Sequence, residues 1–103
     1  MSAILTADAL RAARSLAGLS QRDVEERTGI ARKSLVFAEG HTAPRPRTLS
    51  RLRSFYEEQG LEFLGTVDVS SGLATGLGVR WRMPEPLTPA EIEKSSPIAK
   101  RVD

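Results

Sequence analysis

Between Ser20 and Gly40 the chain (SQRDVEERTGIARKSLVFAEG) has room for two short helices, one sharp turn and little else. Ser20 is an N-cap residue type, and Asp23 three positions on can return its hydrogen bond, completing a capping box. Leu19 before the cap and Val24 after it have the spacing of a hydrophobic staple. Gly29 falls where the first helix must stop and the backbone must take a positive φ, which glycine reaches without a Cβ clash. A second helix from about Arg32 would carry Leu35 and Ala38 inward at i and i+3. Its other flank shows Arg32, Lys33, Ser34 and Phe37. Two cations, a hydroxyl and a bare ring facing solvent suit a helix that reads something outside the chain.

This stretch resembles the helix-turn-helix of the Cro and lambda-repressor-like (Xre-type) family of DNA-binding proteins. The matching positions are Gln21 at the head of the first helix, Gly29 in the turn, and Ile30, Leu35 and Ala38 as packing positions. The likeness continues through Arg45-Pro46-Arg47-Thr48-Leu49 and back to Arg14, and so covers about Thr6 to Leu64. It implies a mainly α fold, a lambda-repressor-like bundle of four to five short helices. It also implies that Arg14 pairs with Glu39 of the reading helix, fixing that helix's pitch and holding the guanidinium near DNA phosphate. Gln21 matches the family's phosphate clamp at a helix N-terminus, where backbone N–H groups are free. Three positions differ from the family's habit: Glu25 stands for a small residue, Thr28 for an apolar one, and Ala31 for a Ser or Thr cap. Loss of that cap is expected to cost about 1 kcal/mol.

A length of 103 residues suits one domain, and 40% apolar residues can fill a modest core. The net charge of +2 says little, but its distribution says more. From residue 32 to 53, Arg32, Lys33, Arg45, Arg47, Arg51 and Arg53 face Glu39 alone, whereas residues 66–103 are neutral. A basic face on one segment is the footprint of a phosphate-binding surface, with a solvated helix face as the alternative. The chain has no cysteine and a single histidine, His41, so no metal site is expected, and no cofactor is implied. Without paired carboxylates, a phosphate loop or a nucleophile–base set, an enzyme is not expected. No apolar run approaches the roughly 18–20 residues of a membrane span, and no signal-peptide pattern opens the chain. A soluble, cytoplasmic protein with no membrane partner is the expectation.

A first helix is predicted over Ala7 to Ala17, capped by Thr6 and ended by Gly18, with Leu10, Ala13 and Ala17 on its apolar stripe. Arg11 reads as solvated charge. After Gly40 the loop HTAPRPR carries His41, as a polar loop residue or a phosphate contact. Arg45 and Arg47 in that loop can grip the DNA backbone, held by prolines that reduce the entropy lost on ordering. The next helix is predicted over about Arg47 to Gln59, with Leu49, Leu52 and Tyr56 inward, Phe55 beside them, and Gly60 as its stop. Arg51 and Arg53 extend the basic surface.

From Leu61 the apolar period changes to two, the pattern of a β-hairpin with firm strands at about 61–67 and 78–83. A lone hairpin is marginal in water, so its apolar face must cover the helices or meet a second copy. The second option is favoured, with Phe63, Val67, Val79 and Trp81 at a dimer interface. Thr88-Pro89-Ala90-Glu91 has the makings of a helix start. The organisation expected is a DNA-binding domain over 1–65, a dimerising C-terminal hairpin over 61–83, and a Pro-containing tail over 84–103. That tail either stays mobile or lies across a partner protein.

In duplex DNA, phosphate contacts set position and base-edge contacts set sequence. Arg32 and Lys33 at the start of the reading helix can donate to guanine O6 and N7, and Ser34 can bond a base or a phosphate. Phe37 can pack on a thymine methyl or on a neighbouring helix. The expected function is a homodimeric transcriptional repressor of an inverted-repeat operator. The alternative is an antitoxin-like module that binds a protein partner through its tail, with DNA binding secondary.

Overall fold

A computed structural model describes residues 5–40, 44–83 and 85–95. Four helices come first: α1 (Ala7–Ala17), α2 (Gln21–Thr28), α3 (Arg32–Ala38) and α4 (Pro46–Glu58). Strands β1 (Leu61–Val67) and β2 (Ala74–Trp81) then form an antiparallel pair, and α5 (Pro89–Ser95) follows. The hairpin is therefore not the last element, and part of the 84–103 segment is helical. None of the helices among the described residues is long and apolar enough to cross a membrane.

Local chemistry explains most boundaries. Thr6 caps α1 by accepting the amide of Ala9, and Gly18 ends it in the left-handed region. Ser20 and Asp23 form a reciprocal capping box on α2: Asp23 N donates to Ser20 Oγ at 3.0 Å and Ser20 N to Asp23 Oδ2 at 2.8 Å. Those bonds hold the Asp23 carboxyl below its ordinary pKa. Gly29 (φ 75°) closes α2 and turns the chain into α3. Helix α4 begins at Pro46, one residue before the predicted start, because proline suits the first helical position, where no N–H is needed. Thr88 and Glu91 cap α5 reciprocally.

The core joins α1 (Ala9, Leu10, Ala13), α2 (Val24), Ile30, α3 (Leu35, Ala38), α4 (Leu52, Tyr56) and β1 (Leu61, Phe63). The Tyr56 ring meets Phe63 edge-on at 6.3 Å and Phe55 at 5.2 Å, the geometry that ring quadrupoles favour. β1 lies against α4 and β2 against α1. The near half of the hairpin thus covers the helices of its own chain, the option that the sequence reading ranked second. Leu61 pairs with Trp81 and Phe63 with Val79, and β2 has one extra residue opposite the step from Leu64 to Thr66. Beyond that irregularity the ribbon leaves the bundle, and Val69 at its tip is 97% exposed. β2 spans Ala74–Trp81 and not 78–83, so much of the Gly- and Thr-rich connection is paired strand.

Candidate nucleic-acid interface

α3 has seven residues, and an α-helix with its side chains is about 10–12 Å across, close to the width of a B-DNA major groove. Leu35 and Ala38 are buried and fasten one side of it to the core. On the other side Arg32, Lys33, Val36 and Phe37 are exposed, and Ser34 is half-buried. The Lys33 ammonium lies 6.0 Å from the Phe37 ring centroid, within reach of a cation–π attraction.

A buried ion pair pins the far end of this helix. Glu39 is 7% exposed and receives Arg14 in bidentate fashion, Nε to Oε2 at 2.8 Å and Nη2 to Oε1 at 2.9 Å. Arg14 Nη1 also donates to the Leu19 carbonyl oxygen at 3.2 Å, and Gln21 Nε2 to Glu39 Oε1 at 3.3 Å. Arg11, read from sequence as solvated, donates to the Glu39 backbone carbonyl and to Asp8. α1, α2 and the end of α3 are thereby tied at one point. The Glu39 hydrogen bond pushes the Arg14 pKa up against the opposing effect of burial. All three Arg14 guanidinium nitrogens have partners inside the chain, which makes the residue an internal tie, and with five N–H groups it keeps donors for the phosphate contact that the resemblance implied. The Gln21 side-chain amide is likewise engaged within the chain.

Tyr56 stands beside this pair. Burial, reinforced by the Glu39 charge and opposed by Arg14, pushes its phenol up to about 12. The folded pKa thus exceeds the unfolded value of about 10, so folding favours the neutral phenol. That stabilisation, about 2–3 kcal/mol, is complete below pH ~10 and is lost as pH rises through about 12. Alkaline titration should unfold the chain in that window, and Tyr56→Phe should move the transition to higher pH. Tyrosinate absorbance follows the single tyrosine of the unaltered chain, and fluorescence of the single tryptophan, Trp81, follows unfolding in both chains.

The remaining basic residues divide. Arg45 is exposed at the N-cap of α4 and Arg47 is exposed in its first turn. His41 lies outside the described residues. Arg51 Nη2 reaches the Thr28 carbonyl at 2.5 Å and ties α4 to the end of α2, and Arg53 pairs with Glu57 at 3.6 Å, so neither is a free cation of the basic face. Arg80 crosses the strand pair to Glu62. Of the four hairpin residues expected at a dimer interface, Phe63 is buried in the chain's own core and Val79 packs against it. Val67 is half-buried, and Trp81 remains 41% exposed.

The three positions that differ from the family's habit act together. Ala31 makes no side-chain cap bond, but the Glu25 carboxylate accepts the Arg32 amide at 3.0 Å in its place. Thr28 Oγ1 donates to the Val24 carbonyl oxygen at 2.7 Å and accepts the Ile30 amide at 3.1 Å, satisfying two backbone groups at the turn. The cap missing from the sequence is supplied by the preceding helix. A comparison of the chain with protein-family models finds no match, and a search of curated proteins finds no relative.

Proposed function

We propose that the chain is a sequence-specific DNA-binding transcriptional regulator with a lambda-repressor-like helix-turn-helix, acting as a homodimeric repressor at an inverted-repeat operator. The observation that carries this reading is the exposed flank Arg32–Lys33–Phe37 on a short helix whose opposite side is buried. A helix held rigidly by one side, with its first turn cationic and free, suits insertion into a major groove. Arg45 and Arg47, exposed at the head of α4, suit the phosphates flanking that groove. Dimerisation would use the apolar surface that the hairpin leaves open around Trp81 and Met83, and two dyad-related reading helices would meet half-sites about one DNA turn apart.

Selection from a random duplex pool should yield an inverted repeat. If a dimer neutralises roughly six phosphates, log K against log salt should fall with a slope of about −5. A flat salt dependence together with an unenriched pool would refute DNA binding. A second reading, a module that binds a protein partner, is favoured by the exposed apolar series Trp81, Met83, Leu87 and Ile92, which runs from β2 into α5. It predicts a monomer that takes up its partner at this surface, whereas the first predicts a dimer alone in sedimentation.

A further inference from the structure

The carboxylate of Glu25 does more than replace a cap. Its Oε2 accepts the backbone amide of Arg32, and its Oε1 faces the Nε of the Arg32 guanidinium at 3.9 Å. One side chain on α2 therefore holds both ends of a residue on α3. An approach through Nε leaves the two terminal nitrogens of Arg32 available for a bidentate bond to guanine O6 and N7. The Arg32 side chain is 52% exposed and that of Glu25 39%, so the guanidinium lies beside a carboxylate without being covered. An arginine free to sample its rotamers loses that freedom on binding, whereas one already oriented loses less.

On this basis, and resting on the DNA-binding reading above, we infer that Glu25 is a specificity-determining positioning residue that aims Arg32 at one base pair. Its negative charge beside the DNA opposes phosphate binding, so it lowers general affinity while raising discrimination. A carboxylate serving only as a cap would share the first effect and not the second.

The test separates the two roles. Glu25→Ala removes the cap and the aim together; adding Ala31→Ser returns a cap without the aim. Melting temperature should fall by about 4–8 °C in Glu25→Ala and recover in the double variant. Discrimination is read as the ratio of affinities for the selected duplex and its single-base-pair variants. It should fall about tenfold at one base pair in both variants and stay unchanged elsewhere. In an Arg32→Ala background Glu25→Ala should leave that ratio alone, because the two residues act as one unit. Glu25→Gln supplies the same readout if the double change unfolds the chain, since its single carbonyl cannot serve amide and guanidinium together. Recovery of discrimination along with melting temperature in the double variant, or an even loss across all duplexes, overturns the inference and leaves the DNA-binding reading standing. A wild-type chain that selects no sequence overturns both.

Discussion

Arg14→Ala is expected to destabilise the fold by about 3 kcal/mol or more, the effect of leaving one partner of a buried pair uncompensated. The deficit falls on Glu39, which is 7% exposed and whose carboxylate keeps, among the described residues, the Gln21 amide as its side-chain donor. Glu39→Ala should cost less, because the Arg14 side chain is 24% exposed and can turn towards water. The ordering of the two variants in urea unfolding is as informative as their size. Equal losses would mean that packing and not charge sets the effect. A double change to apolar residues of similar volume should recover much of the stability, as is common for buried pairs. It should nevertheless weaken DNA binding if the pair fixes the pitch of α3.

Arg32→Ala combined with Lys33→Ala should reduce affinity for the selected operator by about 2–4 kcal/mol, roughly 30- to 1,000-fold. Both residues are exposed, and the Arg32–Glu25 pair is a surface contact, so the melting temperature should change little. Large loss of affinity with an unchanged fold is the signature of a reading surface. An intact affinity in that variant would exclude α3 as the element that meets DNA. Arg45→Ala should instead weaken binding evenly across sequences and shorten the salt slope by about one.

The features legible in the sequence are those whose cause lies within three or four residues. The Ser20–Asp23 box, the Thr6 cap and the positive φ of Gly29 each follow from side chains adjacent to the backbone groups they serve. The apolar stripe of α4 was legible for the same reason, since Leu52 and Tyr56 share a face whatever lies opposite. Contacts between elements were not legible. The bond from Glu25 to the Arg32 amide joins residues seven apart across a turn, and its existence depends on the angle between two helices. Arg11 and Arg51 read as solvated or DNA-facing cations, yet each closes on a backbone carbonyl far along the chain. The extent of β2 was underestimated because Ala74, Thr75 and Gly76 lack the large alternating residues that mark a strand; ladder bonds need only the backbone. The destination of the hairpin's apolar face was open in the sequence because alternation fixes which residues share a face and not what covers it.

The borrowed cap on α3 has a kinetic consequence. A helix of seven residues cannot nucleate alone in water, and this one lacks even an initiating side chain of its own. Its first turn becomes favourable only once α2 has formed and Glu25 is in place, and its last turn only once α1 has brought Arg14 to Glu39. α3 should therefore form after α1 and α2 and dissolve before them, an order that amide exchange would read. If the proposed DNA binding holds, a partly folded chain would present loose cations with phosphate attraction but no sequence preference.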